Sequence, residues 1–177
     1  MNCPYCNLIK TSNFPLLFED DQVVAFLTPV PHIAGHILVM PKEHIPILEK
    51  ISDDLAKHLF NITNKISSAL FESFNAQGTN ILIQNGQGAG QEVPHFSINI
   101  FPRRDNDGYS FEWDAKEINE KELESLKKEI TQNLDKNQQN NEKINSPAPT
   151  NPIIQKEIDE EKEEDKNYLI KQLKRTP

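Results

Sequence analysis

The chain has 177 residues, 27 Asp and Glu against 19 Lys and Arg, a net charge of −8 and 36% hydrophobic residues, proportions that suit one modest globular domain with a polar extension. No apolar run approaches the ~18 residues of a membrane span, and Met1 is followed by Cys3-Pro4-Tyr5-Cys6 rather than by a basic and then an apolar region, so no membrane partner, no secretory leader and a cytoplasmic location are expected. The acidic balance offers no bulk attraction to nucleic acid, so no nucleic-acid partner is expected and an anionic ligand would have to be held by locally oriented donors.

In chain order, the two cysteines come first, three apart, which excludes a disulfide framework and leaves metal, redox or structural uses. Residues 22–27 and 36–40 are short apolar runs bounded by Asp20-Asp21, Gly35 and Pro41 and read as buried strands. Pro29, Pro31 and Gly35 force a loop between them. Ser52 then caps a helix whose Leu55, Leu59, Ile62, Ile66 and Leu70 recur at steps of four, three, four and four, one face of a 3.6-residue period. Residues 80–84 and 95–101 read as two more strands, joined by a glycine-rich turn through Asn85 and Gln91. The sum is an α+β fold, an antiparallel sheet with one main helix.

Beyond Trp113, Leu123, Leu126, Ile130 and Leu134 keep helical spacing, which predicts a peripheral amphipathic helix over roughly 117–135. Residues 136–151 are polar with two prolines and read as a flexible linker. Residues 152–177, with Ile153, Ile154, Ile158, Tyr168 and Leu169 flanking a charged run, predict a C-terminal amphipathic helix that forms against the core or a partner. The expected division is therefore a domain over 1–135, a linker and a terminal helix.

Side chains alternate along a strand, so His95, Ser97 and Asn99 share one face while Phe96, Ile98 and Ile100 share the other. The polar row is either a half-solvated surface or the floor of a site beside the glycine-rich turn. Here the chain resembles the histidine triad family of nucleotide-binding hydrolases and transferases. The resemblance runs through residues 3–6, 18–21, 35–44, 80–86 and 89–103 in order. It implies a strongly bent antiparallel sheet with helices on one side, a homodimer, and a nucleotide-like or heterocyclic small-molecule ligand.

The departures from that family pattern are chemically specific. The family places histidines at three alternate positions of the last strand, and here the first is His95, the second Ser97 and the third Asn99. The second histidine of the family attacks phosphorus and carries the nucleotide covalently. Imidazole does this at neutral pH, whereas a serine hydroxyl needs an adjacent general base. Nucleotidyl-histidine chemistry is therefore expected to be absent. Thr28 stands where many relatives have an Asp that binds the ribose hydroxyls.

Cys3 and Cys6 have the spacing of a zinc knuckle, which alone is ambiguous between metal and thiol uses. In the branch of the family with such an N-terminal pair, the remaining ligands match His44 and His95, implying a closed, structural zinc site. The first functional expectation is a diverged hydrolase acting on a purine- or pterin-like molecule by water attack. In it His36, Ser97 and Asn99 do the chemistry, and Gln91, Asn85, Thr28 and His32 contact the ligand. The alternatives are a nucleotide-binding or sensing module without chemistry, a residual phosphoramidate or dinucleoside polyphosphate hydrolase, and an adaptor working through its final helix. His58 is expected to flank its helix half-exposed, and Trp113 to pack.

Overall fold

The computed structural model describes residues 3–110 and 114–141, with side chains described up to 134. The chain divides after Glu112 into two compact units, each described by itself. The first holds helix α1 (Pro4–Thr11), strands β1 (Leu16–Glu19), β2 (Val23–Leu27) and β3 (Ile37–Pro41), helix α2 (Asp53–Phe74), and strands β4 (Gly78–Leu82) and β5 (Ile98–Arg103). The strands form one antiparallel sheet in the order β1-β2-β3-β5-β4, as the α+β reading expects.

Local chemistry fixes the turns. Asp20 Oδ1 accepts from the backbone N–H groups of Gln22 at 2.9 Å and Val23 at 2.7 Å, which closes the β1–β2 hairpin. Ser52 Oγ accepts from Leu55 N–H at 3.4 Å, and Asp53 and Asp54 occupy the first turn of α2, where carboxylates favour the positive end of the helix dipole. Gly35 sits at φ +84°, and a Cβ there would come within 2.9 Å of the Pro102 ring, so this turn before β3 accepts only glycine.

The register puts Ala25 opposite Val39 and Val39 opposite Ile98, so alternate residues of three neighbouring strands line up on each face. On one face Val23, Ala25, Ile37, Val39, Ile98 and Ile100 bury against Leu55, Leu59, Ile62 and Leu70 of α2. On the other, Val24, Phe26, Leu38 and Met40 pack against Tyr5, Leu8 and Ile9 of α1 and against Phe14. The expectation of helices on one side is thus corrected. α1 covers the opposite face because its three apolar residues form a stripe too short to declare a period in the sequence, yet wide enough to cover four sheet residues.

β1 was not expected either, being an edge strand with Leu16 and Leu17 about half exposed. β4 begins two residues before the predicted 80–84. β5 begins at Ile98 rather than at 95, because the backbone of 95–97 leaves the ladder: His95 N–H bonds to Val93 O at 2.8 Å and Phe96 N–H to Ile45 O at 2.6 Å.

In the second unit, α3 (Glu120–Asn141) is preceded by Asn119, whose Oδ1 accepts from Glu122 N–H at 3.0 Å and caps its first turn. It carries Leu123, Leu126, Ile130 and Leu134 at the expected helical spacing, all exposed. It runs on through Asn141; the rest of the expected linker, the C-terminal helix over 152–177 and Trp113 lie outside the described residues. Among the described residues no helix is long and apolar enough to cross a membrane.

Candidate functional site

Three chain segments converge at the end of β3. The start of α1 brings Cys3 and Cys6, the turn after β3 brings His44, and the bend before β5 brings His95. Their four ligand atoms all lie within 4.8 Å of one another. Cys3 Sγ is 3.6 Å from His95 Nδ1, and Cys6 Sγ is 3.4 Å from His44 Nδ1 and 3.5 Å from His95 Nδ1. Zinc–sulfur bonds of ~2.3 Å and zinc–nitrogen bonds of ~2.05 Å at the tetrahedral angle give a sulfur–nitrogen edge of about 3.5 Å, which these spacings match.

His95 Nε2–H donates to Pro41 O at 2.9 Å, so its Nδ1 lone pair turns toward the thiols, the tautomer a metal requires. Burial, and secondarily the neighbouring His44, hold the His95 pKa below its ordinary value and keep the ring neutral. Burial also pushes the Cys6 thiol up, as does the adjacent Cys3, a resistance to ionisation that a divalent cation would relieve. The donor set therefore fits zinc.

Beside this cluster, on the same sheet face as α1, a cleft of about 310 Å³ opens. It brings together six of the seven residues expected to act in catalysis or ligand binding: Thr28, His32, His36, Gln91, Ser97 and Asn99. Most are already committed. His36 Nε2 lies 3.0 Å from Asn99 Oδ1, and its Nδ1 accepts the backbone N–H of His32 at 3.5 Å. Asn99 Nδ2 donates in turn to Leu82 O at 3.4 Å, so the network fixes the amide oxygen toward the imidazole N–H.

The His36 ring also stacks on Phe101 at 4.2 Å between centroids, with the His32 ring 5.4 Å away on it. Burial lowers the His36 pKa, with a smaller effect of the same sign from His32, while the bond to Asn99 opposes. His36 is thus held neutral with both nitrogens occupied, and cannot accept a proton from a cleft ligand without breaking a bond. Ser97 is half-buried in the cleft, and its hydroxyl has no hydrogen-bond partner among the described residues.

The remaining polar residues are placed as follows. Gln91 staples the glycine-rich turn, its Nε2 donating to Pro46 O at 2.7 Å and Val93 O at 3.0 Å while its Oε1 accepts from Gly86 N–H at 2.8 Å. Asn85 points away from the cleft, accepting from Leu48 N–H at 3.0 Å and donating to Glu49 at 2.8 Å. Thr28 Oγ1 accepts from Val30 N–H at 3.3 Å. His58, half-exposed as expected, pairs with Asp20 at 2.6 Å.

Sequence reading missed Tyr5, Leu8, Gln84 and Glu92, which complete the cleft wall. Only recognising α1 as a helix with an inward face would have found the first two. It also missed a second cleft of about 390 Å³ that shares His32 and Gln84 with the first and is walled by Leu82, Phe101, Arg103 and Tyr109. The Tyr109 hydroxyl donates to His32 O at 2.6 Å and ties the 104–109 turn to the loop before β3.

The model of one family, the HIT domain, matches residues 11–106, a stretch that starts after both cysteines. The chain is 35% identical over 138 residues to a Bacillus subtilis protein named Protein hit, covering 75% of this chain and 94% of that one. It is 29% identical to the adenosine 5'-monophosphoramidase hnt1 of Schizosaccharomyces pombe over 76% of this chain and 99% of that one. Among solved structures, a zinc-bound histidine triad family protein from Mycobacterium smegmatis superposes with a TM-score of 0.59 at 30% identity, covering 66% of this chain and 85% of that one.

Proposed function

We propose that this chain, which belongs to the HIT family, binds a nucleotide or a related planar heterocycle in the cleft beside a structural zinc ion, without nucleotidyl-histidine chemistry. One observation carries the reading: the position at which the family nucleophile would stand holds Ser97, whose hydroxyl has no hydrogen-bond partner among the described residues, so none of the imidazoles of the cleft or the cluster, His32, His36 or His95, is bonded to it as a base, and His36 and His95 have their nitrogens engaged elsewhere. A hydroxyl without a base does not attack phosphorus at neutral pH. The similarity to a monophosphoramidase supports an adenine nucleotide as the ligand class.

Cys3, Cys6, His44 and His95 would hold the ion. Bound there, zinc supplies charge neutralisation of two thiolates and a cross-link of three segments, and with four protein ligands it leaves no position for a substrate. The similarity to a zinc-bound relative supports the identity of the metal. The resemblance to relatives that are commonly dimers supports a homodimer, read by light scattering of the purified chain.

The test pairs binding with a search for an adduct. Zinc-loaded protein is titrated calorimetrically with AMP, then incubated with adenosine 5'-phosphoramidate and weighed intact. Saturable AMP binding with no added nucleotidyl mass and no released AMP is expected. A covalent adduct, or multiple turnovers, overturns the reading.

A second reading, hydrolysis by water attack on a purine- or pterin-like substrate, is favoured by Glu92, a carboxylate that lines the same cleft as Ser97 and supplies a candidate base. Turnover of such a heterocycle that disappears in Glu92→Gln, with binding kept, would select it.

A further inference from the structure

α1 does two things at once. Its first turn carries the thiols of Cys3 and Cys6, and its inner surface carries Tyr5 and Leu8, which line the cleft together with Leu38, itself part of the sheet patch that α1 covers. The helix is eight residues long, with no side-chain cap at its start, and a helix of that length does not hold its shape in water without tertiary support. That support is the apolar contact of Tyr5, Leu8 and Ile9 with the sheet and the cluster of Cys3 and Cys6 with His44 and His95. The Tyr5 ring also meets the His95 ring edge-on, 6.0 Å between centroids. On the far side His95 is two residues from Ser97 on the cleft floor.

We infer that the metal cluster and the cleft are one thermodynamic unit: metal on Cys3, Cys6, His44 and His95 fastens α1, α1 presents Tyr5 and Leu8 as a ligand-contacting wall, and metal and cleft ligand therefore tighten each other's binding. The inference rests on the metal and nucleotide readings above and adds a coupling that neither contains. Without the metal, α1 loses the cluster contact and keeps the apolar contact of Tyr5, Leu8 and Ile9 with the sheet, and a short terminal helix so weakened opens at lower cost than the rest of the fold. A ligand that touches Tyr5 and Leu8 must then order α1 at its own expense. By linkage, whatever factor the metal gives the ligand, the ligand returns to the metal.

The experiment uses the full chain with zinc and with AMP as the probe. Backbone hydrogen exchange is followed with zinc and after chelation. Zinc affinity is measured by chelator competition with and without saturating AMP, and AMP affinity with and without zinc. On chelation, protection is expected to fall across residues 4–11 while α2 stays protected. The two affinity ratios are expected to agree, at about 5-fold or more, the lower end of ordinary allosteric coupling. In Tyr5→Ala the AMP affinity is expected to fall and the ratio to approach one, with one zinc still bound per chain.

Unchanged exchange in 4–11 on chelation overturns the inference, as does an AMP affinity indifferent to zinc. If chelation unfolds the sheet as well, Tyr5→Ala decides: coupling that survives in the variant runs through the whole fold rather than α1, and the inference fails. If zinc-loaded protein does not bind AMP, the nucleotide reading fails by itself and the exchange of 4–11 still judges the clasp.

Discussion

Replacing Asn99 with Leu removes the acceptor for His36 and leaves a size-matched apolar group in its place. His36 is 3% exposed and Asn99 7%, so the freed His36 N–H is largely shielded from water. An unsatisfied buried donor costs about 1–3 kcal/mol, and loss of the bond to Leu82 O, long at 3.4 Å, adds less. His36→Phe alone incurs a similar cost, since it strands Asn99 Oδ1, but it preserves the ring stack on Phe101. The double variant removes both partners of the His36–Asn99 bond, losing besides it only the long bonds from His32 N–H and to Leu82 O, and should be less destabilised than the sum of the singles, with a coupling of about 0.5–3 kcal/mol.

The assay is urea unfolding of zinc-loaded wild type, both singles and the double. The pH series supplies an independent check. Burial lowers the His36 pKa in the folded state below its unfolded value near 6.5, so the unfolded chain binds more protons in that window. Stability from this group is therefore present above about pH 6.5 and is lost as pH falls toward the folded pKa. Wild type should lose stability on acidification more steeply than His36→Phe, and the difference isolates His36 from His95. Additive singles, or identical pH slopes, would refute the picture of His36 as a neutral, fully bonded wall residue.

Gly35→Ala meets the Pro102 ring within 2.9 Å at a left-handed φ of +84°, so it should cost roughly 1–3 kcal/mol, read as a drop in the urea midpoint. Ser97→His restores an imidazole, which attacks phosphorus at neutral pH without a neighbouring base; a nucleotidyl adduct with adenosine 5'-phosphoramidate is expected by intact mass, and its absence would show that more than the nucleophile separates this cleft from covalent chemistry. Cys6→Ser should lower zinc content below one per chain by elemental analysis. It should also abolish the zinc-dependent gain in melting temperature, a gain equivalent to about 2.7 kcal/mol when free zinc is a hundred times its dissociation constant.

The elements legible from sequence are those whose burial is periodic over enough residues. α2 announces itself by five apolar residues on one stripe and by its Ser52 cap, and β2 and β3 by unbroken apolar runs that are buried on both faces. What stayed hidden is short or exposed. α1 has eight residues and no fully buried side chain, and β1 lies half exposed at a sheet edge. The four residues matched to zinc ligands come together in space, while Asn85 turns to the 48–50 segment because that segment offers both a free N–H and the Glu49 carboxylate, partners with no sequence signature. Likewise a glutamine beside glycines reads as a ligand contact; only the fold reveals that Gln91 spends its amide closing the turn.

The three alternate positions of the polar row differ in how much each is constrained, and the difference accounts for which of them keeps histidine. Position 95 must present a buried lone pair to two thiols while its other nitrogen donates to Pro41 O, a combination that imidazole alone among side chains supplies. Position 99 must offer an acceptor to His36 and a donor to Leu82 O, and an amide does both as well as an imidazole does. Position 97 meets no polar partner among the described residues, so the fold asks nothing of it beyond a side chain that tolerates the cleft. A histidine there would be retained for chemistry only. Imidazole at 95 beside serine at 97 is therefore the pattern expected of the proposed site, one that binds metal and ligand without covalent catalysis, and the amide at 99 is compatible with either.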